Sequence, residues 1–148
     1  RCDLLPLDTV AKLIDSEVLA CINDYVRKGD ARDLREAIRK FIVEHPSWDT
    51  YTAMLETSKQ YEEGAKKYEE RNWEKGIPLH CFIDSGVRHY LKWRRGDIDE
   101  PHDRAFVWNM LGAIWTHENH PELIDLPFME KKQEQADKTT TDKKDKSC

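Results

Sequence analysis

The stretch VAKLIDSEVLACINDYVRKGDARDLREAIRKFIV, residues 10–43, decides the fold. In it Val10, Leu13, Ile14, Val18, Cys21, Ile22 and Tyr25 recur at steps of three and four, and Leu34, Ala37, Ile38, Phe41 and Ile42 repeat the pattern. That spacing gathers apolar side chains on one face of a 3.6-residue turn and predicts two amphipathic helices. Gly29 stands where the first should stop, and Asp8 and Asp30 stand where N-caps belong, so the pair reads as a short helical hairpin.

Outward from this hairpin, His45-Pro46-Ser47-Trp48-Asp49 interrupts the period, because the residue before a proline is pushed out of the helical region. A third helix is predicted from about Thr50 to Tyr68. Arg71 to Pro78 has no period and carries Gly76 and Pro78, the signature of a surface loop. A fourth helix spans Leu79 to Arg95 and is stopped by Gly96. Pro101 opens a fifth after Asp97, Asp99 and Glu100, whose charge suits a helix N-terminus. Nothing alternates with period two for long enough to make a strand. The expected fold is therefore an all-α antiparallel bundle of about five helices. Phe41, Leu55, Phe82, Leu91, Phe106 and Leu111 are expected among its buried residues. Residues 1–128 read as a single domain. Residues 129–148, rich in Lys, Asp, Glu, Gln and Thr, read as a flexible polar tail that cannot repay the entropy of ordering.

The formal net charge is −5 with acidic and basic residues intermixed, which argues against coating a nucleic-acid polymer. No apolar run reaches the ~18 residues that span a bilayer, so no membrane partner is expected. The N-terminus lacks a signal-peptide stretch, which makes the cytoplasm the expected address. Cys2, Cys21, Cys81 and Cys148 form no CxxC pair and read as reduced thiols.

Three strings can carry chemistry. In Tyr61-Glu62-Glu63-Gly64-Ala65-Lys66-Lys67-Tyr68-Glu69-Glu70-Arg71-Asn72-Trp73, Glu63 and Lys67 share a helix face, either as a surface ion pair or as part of a site. Gly64 inside that helix implies something packed closely against it, another helix or a ligand. In Ser85-Gly86-Val87-Arg88-His89-Tyr90-Leu91-Lys92-Trp93, Arg88 and Lys92 fall one turn apart with His89 beside them, a pattern that suits phosphate oxygens and equally suits a basic outer face. In the third string, Glu100 and Asp103 give two carboxylates at i,i+3 that can reach one Mg²⁺ or simply complement the helix dipole. His102 lies between them, and Asn109, between Trp108 and Met110, faces inward and needs a partner.

Together EEGAKKYEERNWEKGIPL, SGVRHYLKW and DEPHDRAFVWNMLGAIW resemble the phage-associated dATP/dGTP diphosphohydrolase N-terminal domain family, over roughly residues 50 to 117. That family is related to the MazG-like all-α nucleotide pyrophosphatases, which oligomerise and hold Mg²⁺ on helix-borne carboxylates. The resemblance implies a MazG-like bundle, a homo-oligomer, and a host cytoplasm if the chain is phage-encoded. It implies hydrolysis of a purine dNTP to dNMP and pyrophosphate with Glu63 and Asp103 as catalytic residues and Mg held by Glu63, Glu100 and Asp103. Lys67, Arg88 and Lys92 would stabilise charge on the leaving pyrophosphate, Tyr68 or Trp73 would stack on the base, and Asn72, His89, His102 and Asn109 would complete the nucleotide site. A MazG-like pyrophosphatase carries EExxE answered by ExxD. Glu100 and Asp103 match the second motif, but Lys66 stands in the last place of the first. The alternative is a non-catalytic phage protein that sequesters a nucleotide immune signal, ADP-ribose-like or a cyclic nucleotide, and needs the pocket without the metal.

Overall fold

The computed structural model describes residues 1–146, and the side chains of residues 1–138. Seven helices are present among them: α1 Leu7–Leu13, α2 Glu17–Lys28, α3 Arg32–Glu44, α4 Thr50–Lys67, α5 Leu79–Arg95, α6 His102–Asn119 and α7 Pro127–Lys146. Short 3-10 turns lie at Cys2–Leu4, Asn72–Lys75 and Pro121–Leu123, and there is no strand among the described residues. The all-helical expectation holds, but the helices number seven and not five.

Two local causes explain the difference. The first expected helix is broken at Asp15, which takes a left-handed φ of 52°. Ser16 then starts α2 afresh, its Oγ accepting the Leu19 N–H at 3.1 Å. At the other end α7 begins at Pro127, inside the expected domain, and runs on through most of the expected tail. Leu126 and Phe128 are buried, and the Phe128 ring meets Tyr25 edge-on at 5.6 Å. Residues 130–138 are exposed, and their Glu, Lys, Gln and Ala are strong helix formers that need no burial to favour the helical state. Cys148 and the last part of the expected tail lie outside the described residues. Cys2, Cys21 and Cys81 are free and half-buried.

Helix α6 is the organiser. It packs against α5, α4 and α3, while α2 packs against α1, α3 and α7. The α5–α6 crossing is tight because glycine allows it. A Cβ on Gly86 would stand 2.5 Å from Met110 Cε, and one on Gly112 would stand 2.5 Å from the Phe82 ring. Phe41 and Phe106, both fully buried, meet at 4.6 Å in the centre. Burying each such ring contributes about 1.5–3 kcal/mol. One polar network crosses this core: the Tyr90 hydroxyl lies 2.7 Å from Ser16 Oγ and 2.9 Å from Glu44 Oε2, and accepts from Arg94 at 2.9 Å.

Helix α4 is docked more loosely. Ala53 and Thr57, four apart, are its buried residues, so a single narrow stripe faces α6. Leu55 falls off that stripe and is 70% exposed, contrary to the expected burial. Leu91 and Leu111 are half-buried against the core rather than inside it. No helix among the described residues is long and apolar enough to cross a membrane.

Candidate functional site

Past Thr57, the C-terminal half of α4 and the loop after it enclose, with α5 and α6, a cavity of about 880 Å³. Its floor is helical. Phe82, Ser85 and His89 come from one stripe of α5, and Ala105, Trp108 and Asn109 from one face of α6. Its rim is the end of α4 and the loop that follows, with Gln60, Tyr61, Glu63, Gly64, Lys67, Tyr68, Asn72 and Trp73 among the lining residues. The size lies within the range of small-molecule sites, and an apolar floor with a few polar groups is their usual make-up.

The loop is anchored at several points. Arg71 takes a left-handed φ of 57° and Gly76 one of 71°, which turns the chain back beneath the α4 terminus. His120 Nε2 donates to the Glu74 carbonyl at 3.0 Å and pins the loop to the end of α6. Trp73 wedges in edge-on against Trp115 at 5.0 Å and Tyr61 at 5.9 Å. On the far wall, Arg104 Nε donates to Gln60 Oε1 at 3.1 Å and Nη2 to Glu63 Oε1 at 2.6 Å, tying α4 to α6. Burial pushes the Tyr61 phenol up to about 12, so it remains a proton donor at neutral pH.

The expected nucleotide residues therefore separate into two groups. Lys67, Tyr68, Asn72, Trp73, His89 and Asn109 line the one cavity. Lys67 Nζ lies 5.4 Å from the Tyr68 ring centroid and makes no ion pair among the described residues, so its charge is available at the rim. Asn109 is buried, and its Nδ2 donates to the Ala105 carbonyl at 2.8 Å, which leaves the side-chain oxygen for another donor. Arg88, Lys92 and His102 are not on the cavity wall. Arg88 follows the neighbouring stripe of α5, pairing with Asp84 at 2.5 Å, and Asp84 in turn accepts the Cys2 N–H at 2.6 Å. That arrangement clamps the N-terminal segment, and the shared cleft expected for Arg88 with Lys67 is not formed.

The expected metal set is not assembled either. Glu63 is engaged by Arg104, and Asp103 accepts from His45 Nε2 at 3.0 Å, on the side of α6 where His45 stacks on Trp48. Glu100 lies instead between two imidazoles, 3.3 Å from His89 Nδ1 and 3.5 Å from His102 Nδ1. Glu63, Glu100 and Asp103 do not fit one magnesium ion as they stand, because their ligand atoms do not come together among the described residues. Gly64 is likewise not explained by packing, since a Cβ there would meet nothing within 4 Å. What it faces is the cavity.

Behind His89 the structure holds an arrangement the sequence did not suggest. His89 Nδ1 and His102 Nδ1 are 2.9 Å apart, and His102 Nε2 is 2.7 Å from Asp99 Oδ1. Burial pushes the His89 ring below its ordinary value; Glu100 pulls the other way, and His102, Lys92 and Arg88 add to the lowering. His89 is accordingly neutral at neutral pH.

A helical domain with a nucleotide-sized cavity, a free lysine at its mouth and aromatic rings along its rim has the make-up of a small-molecule-binding protein. The chain matches the model of the dATP/dGTP diphosphohydrolase, N-terminal, family over residues 39–126, more than half its length, and it belongs to that family. The matched region covers α4, the loop, α5 and α6, and with them every lining residue. A nucleotide substrate and hydrolysis of nucleotides are what that membership brings. No curated protein and no solved structure matches the chain.

Proposed function

We propose that the cavity binds a purine deoxynucleoside triphosphate and hydrolyses it between the α and β phosphates, releasing dNMP and pyrophosphate. The observation that carries this reading is the convergence of Lys67, Asn72, Trp73, His89 and Asn109, drawn from α4, the loop after it, α5 and α6, on one space of about 880 Å³. Lys67 would hold phosphate oxygens through a charge-assisted contact. Tyr68, exposed at the rim, or Trp73 would stack on the base. The amides of Asn72 and Asn109 would fix the sugar or base edge. Gly64, a helix glycine that costs about 1 kcal/mol against alanine, leaves its side of α4 open towards the same cavity.

A second reading has its own support. The two carboxylates expected to be catalytic, Glu63 and Asp103, are engaged by Arg104 and His45, while the pocket itself is intact. In that reading the protein sequesters an ADP-ribose-like or cyclic-nucleotide signal without turnover. Self-association belongs to the proposal as well: Tyr51 and Leu55, 82% and 70% exposed on α4, are apolar surface that a second copy would cover, and light scattering would detect it.

Incubation with each dNTP in Mg²⁺ or Mn²⁺, followed by chromatography for monophosphate and pyrophosphate, tests the first reading. Purine-selective product is the expected result. Tight nucleotide binding in excess chelator, with no product after long incubation, would replace it with the second.

A further inference from the structure

We propose that His89, His102 and Glu100 form a binding site for one transition-metal ion of the zinc class, oriented by Asp99. Three donors face one another: His89 Nδ1 and His102 Nδ1 at 2.9 Å, His89 Nδ1 and Glu100 Oε1 at 3.3 Å, and His102 Nδ1 and Glu100 Oε1 at 3.5 Å. Ligand atoms ~2.05 Å from a single ion at tetrahedral angles stand about 3.3 Å from one another. The observed triangle is the base of such a site.

A second observation points the same way. The His102 ring is fully buried, and its far nitrogen, Nε2, meets the Asp99 carboxylate at 2.7 Å. A carboxylate is an acceptor, so Nε2 carries the proton, and the neutral tautomer then leaves a lone pair on Nδ1, aimed at the other two donors. Imidazoles that bind metals are held in this way by a carboxylate on the opposite nitrogen. Burying a ring completely in order to face another ring nitrogen and a carboxylate has little structural return, because one shared N–H is the most the two Nδ1 atoms can use. An ion takes both lone pairs.

Two nitrogens and one oxygen favour zinc, manganese, iron or cobalt over magnesium, whose preferred shell is all oxygen. His89 also lines the cavity, so the ion would sit at its wall. The site stands whether or not the cavity hydrolyses a nucleotide.

The full chain, stripped with chelator, is titrated with Zn²⁺ by calorimetry and with Co²⁺ by visible absorption. Wild-type protein is expected to take up one equivalent and to show the absorption bands of nitrogen-ligated cobalt. Asp99→Asn should weaken binding about 10- to 100-fold. Glu100→Gln, at a half-exposed side chain that the fold does not depend on, should weaken it at least tenfold, and His89→Gln should abolish it, each with an unchanged helical circular dichroism spectrum. Absence of any stoichiometric uptake by the wild type would overturn the site. So would uptake that Glu100→Gln and His89→Gln leave unaltered, which would put the ion elsewhere, for example at His80 and Cys81, 3.5 Å apart.

Discussion

Helix α6 shows two opposite ways for a helix to meet its neighbours. Against α5 it is closed, with Gly86 and Gly112 removing the side chains that would hold the backbones apart and with Phe82, Phe106 and Met110 filling the seam. Against α4 the buried contacts are Ala53 and Thr57, and beyond them a cavity lies between the helices, bridged at one side by the Arg104 tie to Gln60 and Glu63. The glycines differ in the same sense. Those of the crossing are hemmed in by neighbouring side chains, whereas Gly64 has nothing within 4 Å. Close packing and the cavity lie on different sides of α6, and stability and ligand binding should respond separately to substitution.

The largest effect is expected in the closed half. Phe106→Ala should cost about 3–5 kcal/mol in a urea melt, through lost transfer energy and the cavity it leaves. A loss below ~1 kcal/mol would mean the core does not depend on this seam. On the open side Arg104→Ala should cost about 1–2 kcal/mol, less than a buried pair, because Glu63 is solvent-exposed and only the arginine is enclosed. It should also speed amide exchange through the C-terminal half of α4. Unchanged exchange there would show that the tie does not hold the wall.

Gly64→Ala should act with the opposite sign, raising stability by about 0.5–1 kcal/mol, since alanine is the better helix former and no neighbour obstructs its methyl group. If the space is used by a nucleotide, affinity should fall in the same variant. A variant both more stable and unchanged in affinity would separate Gly64 from the site.

The smallest effect concerns the loop. His120 is raised above its ordinary 6.5, first by Glu122 and then by the Glu74 carbonyl. Both partners are acceptors, so both ring nitrogens donate only in the cation. A raised folded value makes the pair of hydrogen bonds fully present below about 6.5, and one of the two is lost as pH rises through the raised value. An NMR titration should place the His120 midpoint above 6.5, with amide exchange around Glu74 to Gly76 quickening on the alkaline side. A midpoint at or below 6.5 would show that the doubly donating cation does not hold the loop.

How much of this was legible in the sequence depended on whether the information was local. The bounds of α5 were readable because Leu79 follows a proline and Gly96 supplies the left-handed stop, at φ 90°. The Asp15 break was missed because the apolar period of 10–25 runs through it without a phase error, and only the cap chemistry of Ser16 signals a restart. Leu55 was misplaced because one narrow stripe of α4 is buried, and a stripe's width is set by the neighbour it meets. In the site, six of the nine expected nucleotide residues share the cavity. Arg88 lies off the cavity because it pairs with Asp84, one turn back, which holds the N-terminal segment, far away in sequence. The contacts of His89 with His102, and of Arg104 with Glu63, join different helices over 13 and 41 residues. Such pairs depend on how helices cross, which periodicity does not encode. The one signal available was the 82, 85, 89 spacing on α5, which mixes a ring, a hydroxyl and an imidazole on one face.

The central claim is that the nucleotide occupies the open side of α6. A crystal structure of the full chain with a non-hydrolysable dATP analogue tests it most directly. The account predicts the analogue between α4 and α6, with phosphate oxygens at Lys67 and the base against Tyr68 or Trp73. An analogue bound instead along Arg88 and Lys92, with the cavity empty, would contradict it.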